Sequence, residues 1–213
     1  FPAEFILEGK DQIRGWFNIL LVCSMISMEK PSYKRVFMHG FINDAKGRKM
    51  SKSLGNYILP QEVMDKYGSD TFRYYTVGAT NPGLDLNYNF EDMKLKNRNL
   101  MILWNIQNLI INLSKELKKN PSEMSKALED LYSIEEKYIT SKLNSSIKKV
   151  TELYDQYKLN EIPWLVEELF LELSRTYVQL TREKSSVGTP KEREIVLYTI
   201  YKVFMECLKM FST

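Results

Sequence analysis

The sequence predicts a mainly α protein in two parts: a short strand–helix–strand unit carrying a basic loop, then a helical bundle. Three observations predict it. Two brief apolar runs, residues 4–7 and 35–39, flank a longer apolar stretch and are too short for helices. From Phe90 onward, apolar residues return every three to five positions, the period of one helix face. Between these regions lies Gly47-Arg48-Lys49-Met50-Ser51-Lys52-Ser53-Leu54-Gly55-Asn56, a glycine-flanked polar loop with neither period.

In order along the chain, residues 4–7 read as a strand that Gly9 breaks. Asp11 stands where an N-cap would open the apolar helix that follows, through about residue 26. Pro31 and Ser32 mark a turn, and residues 35–39 form the second strand. This is one βαβ unit, for which parallel strands and a right-handed crossover are expected. Ligands of parallel sheets bind beyond the carboxyl ends of the strands. Glu8-Gly9 and His39-Gly40 lie at those ends. Pro60 opens a helix over 61–66, stopped by Tyr67-Gly68, and Ser69-Asp70 cap another through about residue 77. Asn81-Pro82-Gly83 is a turn signal, and the segment 78–89 is the expected boundary between parts 1–89 and 90–213.

In the second part, residues 93–113 predict a long helix, and 118–125 a flexible connection. Tyr138, Leu143, Ile147, Val150, Tyr154 and Tyr157 form one stripe. Leu165, Leu169, Leu173, Tyr177 and Leu180 form the next. Thr189-Pro190-Lys191-Glu192 is a capping box with proline at the first helical position. Val196, Ile200, Val203, Phe204, Cys207, Leu208 and Phe211 follow on one face. Four antiparallel helices on short loops make a bundle. No stop signal precedes Thr213, so the natural protein is expected to continue.

Composition narrows the function classes. An apolar share of 44% over 213 residues supports a core, and no apolar run is long enough to span a membrane. Cys23 and Cys207 both fall in apolar helical stretches. Two buried thiols point to a reducing cytoplasm. With two cysteines and one histidine, no zinc-type cluster can be assembled, and no structural metal is expected. A net charge of +3 with interspersed signs is compatible with RNA but does not argue for it.

The basic loop argues more. Arg48, Lys49 and Lys52 lie within five residues, with Ser51 and Ser53 interleaved. Lysine ammoniums supply point charge where negative charge develops in phosphoryl or nucleotidyl transfer. Serine hydroxyls donate to phosphate oxygens. Read alone, the loop is equally a solvated basic turn.

Lys49-Met50-Ser51-Lys52-Ser53 resembles the signature loop of class I aminoacyl-tRNA synthetases. Glu8-Gly9-Lys10-Asp11-Gln12-Ile13-Arg14-Gly15-Trp16-Phe17, followed after a further strand by that loop, is similar to the isoleucyl branch of the family. Met38-His39-Gly40-Phe41 and the run to Asn56 resemble its archaeal form. The valyl, leucyl and methionyl branches share the loop but not the helix-start motif. The resemblance covers essentially the whole chain and is strongest over residues 1–80. It implies the C-terminal half of a Rossmann-like nucleotide-binding core, a helical connector, and an anticodon-binding helical bundle.

Residue by residue, the resemblance implies that Glu8, Gly9, Asp11, Gln12 and Trp16 bind the aminoacyl-adenylate. Lys49 and Lys52 become the catalytic cations, with Lys49, Ser51, Lys52 and Ser53 binding ATP. Asp11 equally reads as a helix cap, Trp16 as core, Arg48 as a solvated arginine, and Asn56 as a turn residue. His39 matches the family residue at its position and carries no catalytic role. Implied partners are isoleucine, ATP with Mg2+, tRNA-Ile, and the N-terminal catalytic and editing parts of the same enzyme. The family's His-Ile-Gly-His motif needs two histidines, so it must lie upstream, and this chain is expected to be inactive alone. In the bundle, Leu103-Trp104-Asn105 and Leu173-Ser174-Arg175-x-Tyr177 resemble family positions, although packing roles suit them better. Glu172 stands where the family tends to have aspartate. Lys94, Lys96, Arg98 and Arg182 are candidate phosphate contacts. Readings from other classes are a noncatalytic tRNA-binding module and a helical interaction module.

Overall fold

A computed structural model describes residues 1–212. Thr213, on which the expectation of a continuing chain falls, lies outside the described residues. The chain divides into two compact units, the first ending at Met93.

In the first unit, β1 (Ile6–Gly9) leads into a 3-10 turn over Lys10–Arg14, then α1 (Trp16–Met28) and β2 (Val36–His39). β1 and β2 pair in parallel, with Ile6 opposite Val36 and Gly9 opposite His39. The strand–helix–strand unit is therefore present, but its first strand sits later than residues 4–7. Asp11 does not cap the helix. It lies inside the 3-10 turn, and its Oδ2 accepts from Gln12 Nε2 at 2.9 Å. Gln12 does the capping instead, its Oε1 accepting from the Trp16 amide at 3.0 Å. That bond fills one of the donors that a helix start leaves open.

β3 (Ile42–Asn43), α2 (Pro60–Tyr67), α3 (Ser69–Gly78) and β4 (Leu86–Asn87) follow. β3 and β4 pair in parallel, Ile42 opposite Leu86 and Asn43 opposite Asn87. Two-residue strands leave no periodicity to read, so the sequence did not reveal them. The segment 78–89 thus carries a strand of the first unit. Tyr88 N donates to Asn43 O at 3.0 Å and Leu86 N to Phe41 O at 2.8 Å. Pro60 opens α2 as expected, and Gly68, at φ 83°, ends it. Val63, Tyr75, Leu86, Tyr88 and Met93 form the small core beneath.

The unit boundary falls within α4 (Phe90–Leu117). In the second unit, α5 (Ile134–Asp155), α6 (Ile162–Glu172), a π turn over Leu173–Tyr177, α7 (Val178–Leu180), α8 (Arg182–Val187) and α9 (Pro190–Phe211) complete the chain. Leu103, Ile106 and Ile110 of α4 share one core with Ile139 and Leu143 of α5, Val166 and Phe170 of α6, and Val203 and Cys207 of α9. The π turn explains how Leu169, Leu173 and Tyr177, spaced by four, all become buried. Its wider turn returns such a series to one face, where an α-helix would drift.

The expected capping box of Thr189 with Glu192 forms, and the structure adds a second, Ser133 with Glu136, that the sequence reading did not name. Several apolar positions differ from expectation. Tyr157 lies beyond α5 at φ 57°, and Leu180 and Trp104 are each 58% exposed. Cys23 is exposed and only Cys207 is buried. Residues 118–125 are folded rather than a loose connection. A 3-10 turn over Pro121–Glu123 is capped by Asn120, whose side chain accepts from Ser122 N, and Pro121 is buried. Among the described residues no helix is long and apolar enough to cross a membrane.

Candidate functional site

The register of β1 against β2 brings the residues after both strands out at one edge of the sheet. Glu8 is exposed there, its Oε2 accepting from Gly9 N at 3.1 Å. Gly9 is buried, and a Cβ at that position would stand 2.6 Å from Asp11 Oδ1 and 3.5 Å from His39 Cε1. A larger residue at position 9 would have to displace the exposed Asp11 side chain, while its distance to His39 is ordinary contact. Asp11 and Trp16 are exposed, Gln12 half-buried, and His39 turns its Nδ1 to Gly40 O at 2.9 Å.

Asp85 braces this edge. Lys10 Nζ stands 2.6 Å from its Oδ1, and Phe41 N donates to the same oxygen at 2.8 Å. The Lys10 hydrogen bond, then the Phe41 amide, hold its carboxyl below the usual carboxylate range. Gly40 lies under this brace. A Cβ there would come within 2.0 Å of Leu84 O, a backbone atom that cannot turn aside.

The basic loop leaves β3 and returns toward α2. Asp44, 7% exposed, stands at its root. Its Oδ1 accepts from Lys46 N and Arg48 N, both at 2.9 Å. Its Oδ2 accepts from Arg48 Nε at 2.9 Å and from Asn56 Nδ2 at 3.0 Å. Hydrogen bonds from Asn56 and then from the Arg48 amide hold its carboxyl far below the ordinary range. Asn56 continues the chain of bonds, donating to Lys49 O at 3.2 Å and accepting from Ser51 N at 2.9 Å. Beyond it Ser51 Oγ meets Ser53 Oγ at 3.1 Å and accepts from Leu54 N at 3.2 Å. Gly47 and Gly55, at φ 75° and 64°, take the two backward turns that the loop requires.

Lys49 and Lys52 are exposed, and among the described residues neither ammonium has a hydrogen bond or ion pair. Arg48 is different: its guanidinium is tied to Asp44. The loop therefore offers two uncommitted lysines and two serine hydroxyls to solvent. Behind it is a cavity of about 610 Å3, lined by Phe41, Ile42, Lys49, Met50, Tyr57 and Tyr88 among others. No hydrogen bond joins the loop residues 49–53 to Glu8, Asp11 or Gln12 among the described residues. The loop follows β3 of the second two-stranded sheet, whereas Glu8, Asp11 and Gln12 follow or end β1 of the first.

Sequence reasoning missed Asp44 and Asp85. Asp44 had a signal, because Asp-x-x-Gly is a turn pattern and Gly47 N indeed donates to Asp44 O at 2.9 Å. Asp85 had none, since its partners Lys10 and Phe41 lie far away in sequence. In the second unit, Arg98 and Arg182 are exposed without an ion pair among the described residues. Lys96 is not available as a phosphate contact, because it pairs with Glu167 at 2.6 Å, both being mostly buried. Lys94 is exposed but has an interaction of its own. Trp104, Asn105 and Arg175 are exposed, whereas Leu103, Leu173 and Tyr177 are core. No group of three or more metal-ligating side chains occurs among the described residues.

Comparison with known proteins bears on both units. Residues 1–89 match the family of class I tRNA synthetases (I, L, M and V), and residues 136–212 match the anticodon-binding domain of tRNA ligase. Isoleucine--tRNA ligase of Methanothrix thermoacetophila is 37% identical over 216 residues, covering 100% of this chain and 20% of the relative. Isoleucine--tRNA ligase of Pyrococcus horikoshii is 37% identical over 214 residues, with the same coverage of 100% and 20%. The chain thus spans about 20% of the length of these curated relatives. Among solved structures, Mycobacterium tuberculosis methionyl-tRNA synthetase in complex with methionyl-adenylate superposes with a TM-score of 0.72 at 21% identity, covering 100% of this chain and 41% of that one. The Agrobacterium radiobacter K84 agnB2 LeuRS-tRNA-LeuAMS complex gives 0.70 at 21% identity, covering 100% and 27%. At that identity these two speak for the fold alone.

Proposed function

We propose that this chain serves as the adenylate-edge and anticodon-side portion of an isoleucyl-tRNA synthetase, a reading supported by the match of residues 1–89 to class I tRNA synthetases and of residues 136–212 to the anticodon-binding domain. The observation that carries the proposal is the loop with Lys49 and Lys52 uncommitted while Arg48 is neutralised. A cation with no internal partner at a strand end is free to meet an incoming phosphate.

In this reading ATP, as its Mg2+ complex, reacts with isoleucine to give isoleucyl-adenylate and pyrophosphate, and the isoleucyl group passes to the terminal ribose of tRNA-Ile. Lys52 and Lys49 stabilise charge on the phosphates as pyrophosphate leaves, and Ser51 and Ser53 donate hydrogen bonds to phosphate oxygens. Glu8, with Gly9 permitting close approach, and Asp11, Gln12 and Trp16 hold the adenylate. Catalysis is positioning plus electrostatics, without a covalent enzyme intermediate. The second unit contributes exposed Arg98, Arg182 and Trp104 to an RNA-facing surface, by phosphate contact and base stacking.

The side-chain pocket for isoleucine and the paired histidines of the family belong to the remainder of the enzyme. Joined to it, the enzyme should catalyse isoleucine-dependent exchange of labelled pyrophosphate into ATP, and this chain alone should not. Lys52→Ala in the joined enzyme should lower exchange about 100- to 1000-fold, the cost of removing one preorganised charge from a transition state. Exchange with leucine or valine in place of isoleucine would overturn the substrate. A Lys52→Ala enzyme of undiminished rate would overturn the role of the loop.

A further inference from the structure

We propose that Asp44 is the positioning residue of the basic loop: it clasps Arg48 and Asn56 so that Lys49 and Lys52 stay poised and uncommitted. The inference rests on the reading of the loop given above and deepens it.

Four donors converge on one carboxylate: the Lys46 and Arg48 amides, the Arg48 guanidinium and the Asn56 amide group. A buried carboxylate so fully satisfied fixes its partners, because charge-assisted bonds are short and directional. Two consequences follow for the lysines. First, Arg48 Nη2 stands 2.8 Å from Asp44 Oδ2, so the loop's third cation is tied to a carboxylate although its side chain is 60% exposed. The pairing offsets its charge beside the neighbouring ammonium. Second, Asn56 carries the constraint across the loop. Its side chain holds Lys49 O and Ser51 N, the backbone on either side of Met50. Lys49 is held from the other side as well, by an antiparallel bridge to Asn43. Lys52 lies beyond these anchors, where Gly55 N donates to its carbonyl at 3.2 Å. Asp44 touches neither lysine head group, so it acts through the backbone it pins.

A plain turn-capping role predicts loss of fold when Asp44 is removed, and nothing specific to ATP. A positioning role predicts a split among kinetic constants. In the joined enzyme, Asp44→Ala should raise the KM for ATP or lower kcat of pyrophosphate exchange by about ten- to a hundredfold, the cost of a small misplacement of catalytic groups. The KM for isoleucine, and transfer from preformed isoleucyl-adenylate to tRNA, should stay within about twofold, since neither step uses the phosphate-facing lysines. Asp44→Asn keeps an oxygen for the two amides and loses the charge, and should recover part of the defect. In this chain itself, trypsin should cut after Lys49 and Lys52 faster in Asp44→Ala than in the unsubstituted protein.

Unchanged ATP kinetics together with unchanged tryptic rates would overturn the clasp. Equal losses in every kinetic constant, with a lowered melting temperature, would overturn positioning in favour of a structural role. Absence of isoleucine-dependent exchange in the unsubstituted joined enzyme would instead sink the functional reading. The tryptic comparison would then still decide the clasp.

Discussion

Helix α1 in the first unit buries two of its 13 residues, Phe17 and Ser24, whereas α9 in the second buries nine of 22. Composition and pattern both separate them, since α1 carries no charged residue and α9 carries seven. α9 places Val196, Ile200, Val203 and Cys207 on one stripe that meets α5 and α6. α1 is apolar on every side, and Trp16, Ile19, Val22, Met25 and Ile26 remain exposed. A helix apolar all round belongs inside a larger core. The two-stranded parallel sheet beside it points the same way, because parallel sheets are ordinarily covered on both faces. The second unit encloses a core of its own, and the first leaves most of α1 uncovered. This accords with a chain that spans about 20% of the length of its relatives.

The sharpest way to break the comparison is to attack the enclosed core. Phe170 is 0% exposed, packed among helices of the second unit. Phe170→Ala should destabilise that unit by about 3–5 kcal/mol, transfer and cavity terms combined. Urea unfolding followed by far-UV circular dichroism would read this. A loss below about 1 kcal/mol would mean that the bundle core is loose and that the contrast with the first unit is false.

In the first unit the corresponding weak point is a backbone contact. Gly40→Ala places a methyl 2.0 Å from Leu84 O, and relief requires β2 or the turn before β4 to shift. The expected cost is about 1–3 kcal/mol, confined to the first unit. Hydrogen exchange should quicken in β1, β2 and β4 and stay unchanged in α5 and α9. Uniform quickening would show that the two units unfold as one.

What could be read in advance follows the same division. Helices of the second unit were legible because a 3.6-residue period repeats over many residues, and the Thr189 box states its own start. The π turn was not, since spacing by four at Leu169, Leu173 and Tyr177 is compatible with ordinary helix. In the first unit the strand–helix–strand order and the start of α2 at Pro60 were legible, and the finer scaffold of the loop was not. Lys49, Ser51, Lys52 and Ser53 stand out by residue type, a pattern that suits a phosphate and equally a solvated basic turn. The pieces that hold them are two-residue strands and lone carboxylates, Asp44 and Asp85, whose meaning lies in partners brought near by folding. Gln12 shows the limit well. Asp11 was the better cap by residue type, but the 3-10 turn put the glutamine side chain at the helix start.

Acid sharpens the comparison further. Glu135 has its carboxyl lowered from 4.5 to about 2, chiefly by the Ser133 hydroxyl and then by its own amide and Lys184. Asp44 is displaced in the same direction. A carboxyl depressed on folding adds stability that is complete above its unfolded value and fades as pH falls toward the folded one. For Glu135 that window runs from about 4.5 down to about 2. The urea midpoint of the bundle should fall across it, and Glu135→Gln should flatten the slope. Asp44 supports a loop rather than a core, so its protonation should loosen residues 44–56 in hydrogen exchange without moving that midpoint. A midpoint independent of pH between 5 and 2.5 would contradict the assignment of Glu135.

The smallest effect is expected where the first unit is open. Ile26 is 79% exposed, and Ile26→Ser in this chain should change stability by no more than about 0.5 kcal/mol. Cys23, on the same helix, is exposed, whereas burial pushes the Cys207 thiol up to about 12. Because the thiolate is the reactive form, Cys23 should react with iodoacetamide in the native chain and Cys207 only on unfolding. Both results should reverse when the rest of the enzyme covers α1: Ile26→Ser would become costly and Cys23 would fall silent. If Ile26→Ser cost several kcal/mol in this chain by itself, α1 would already be enclosed, and the distinction between the two units would not hold.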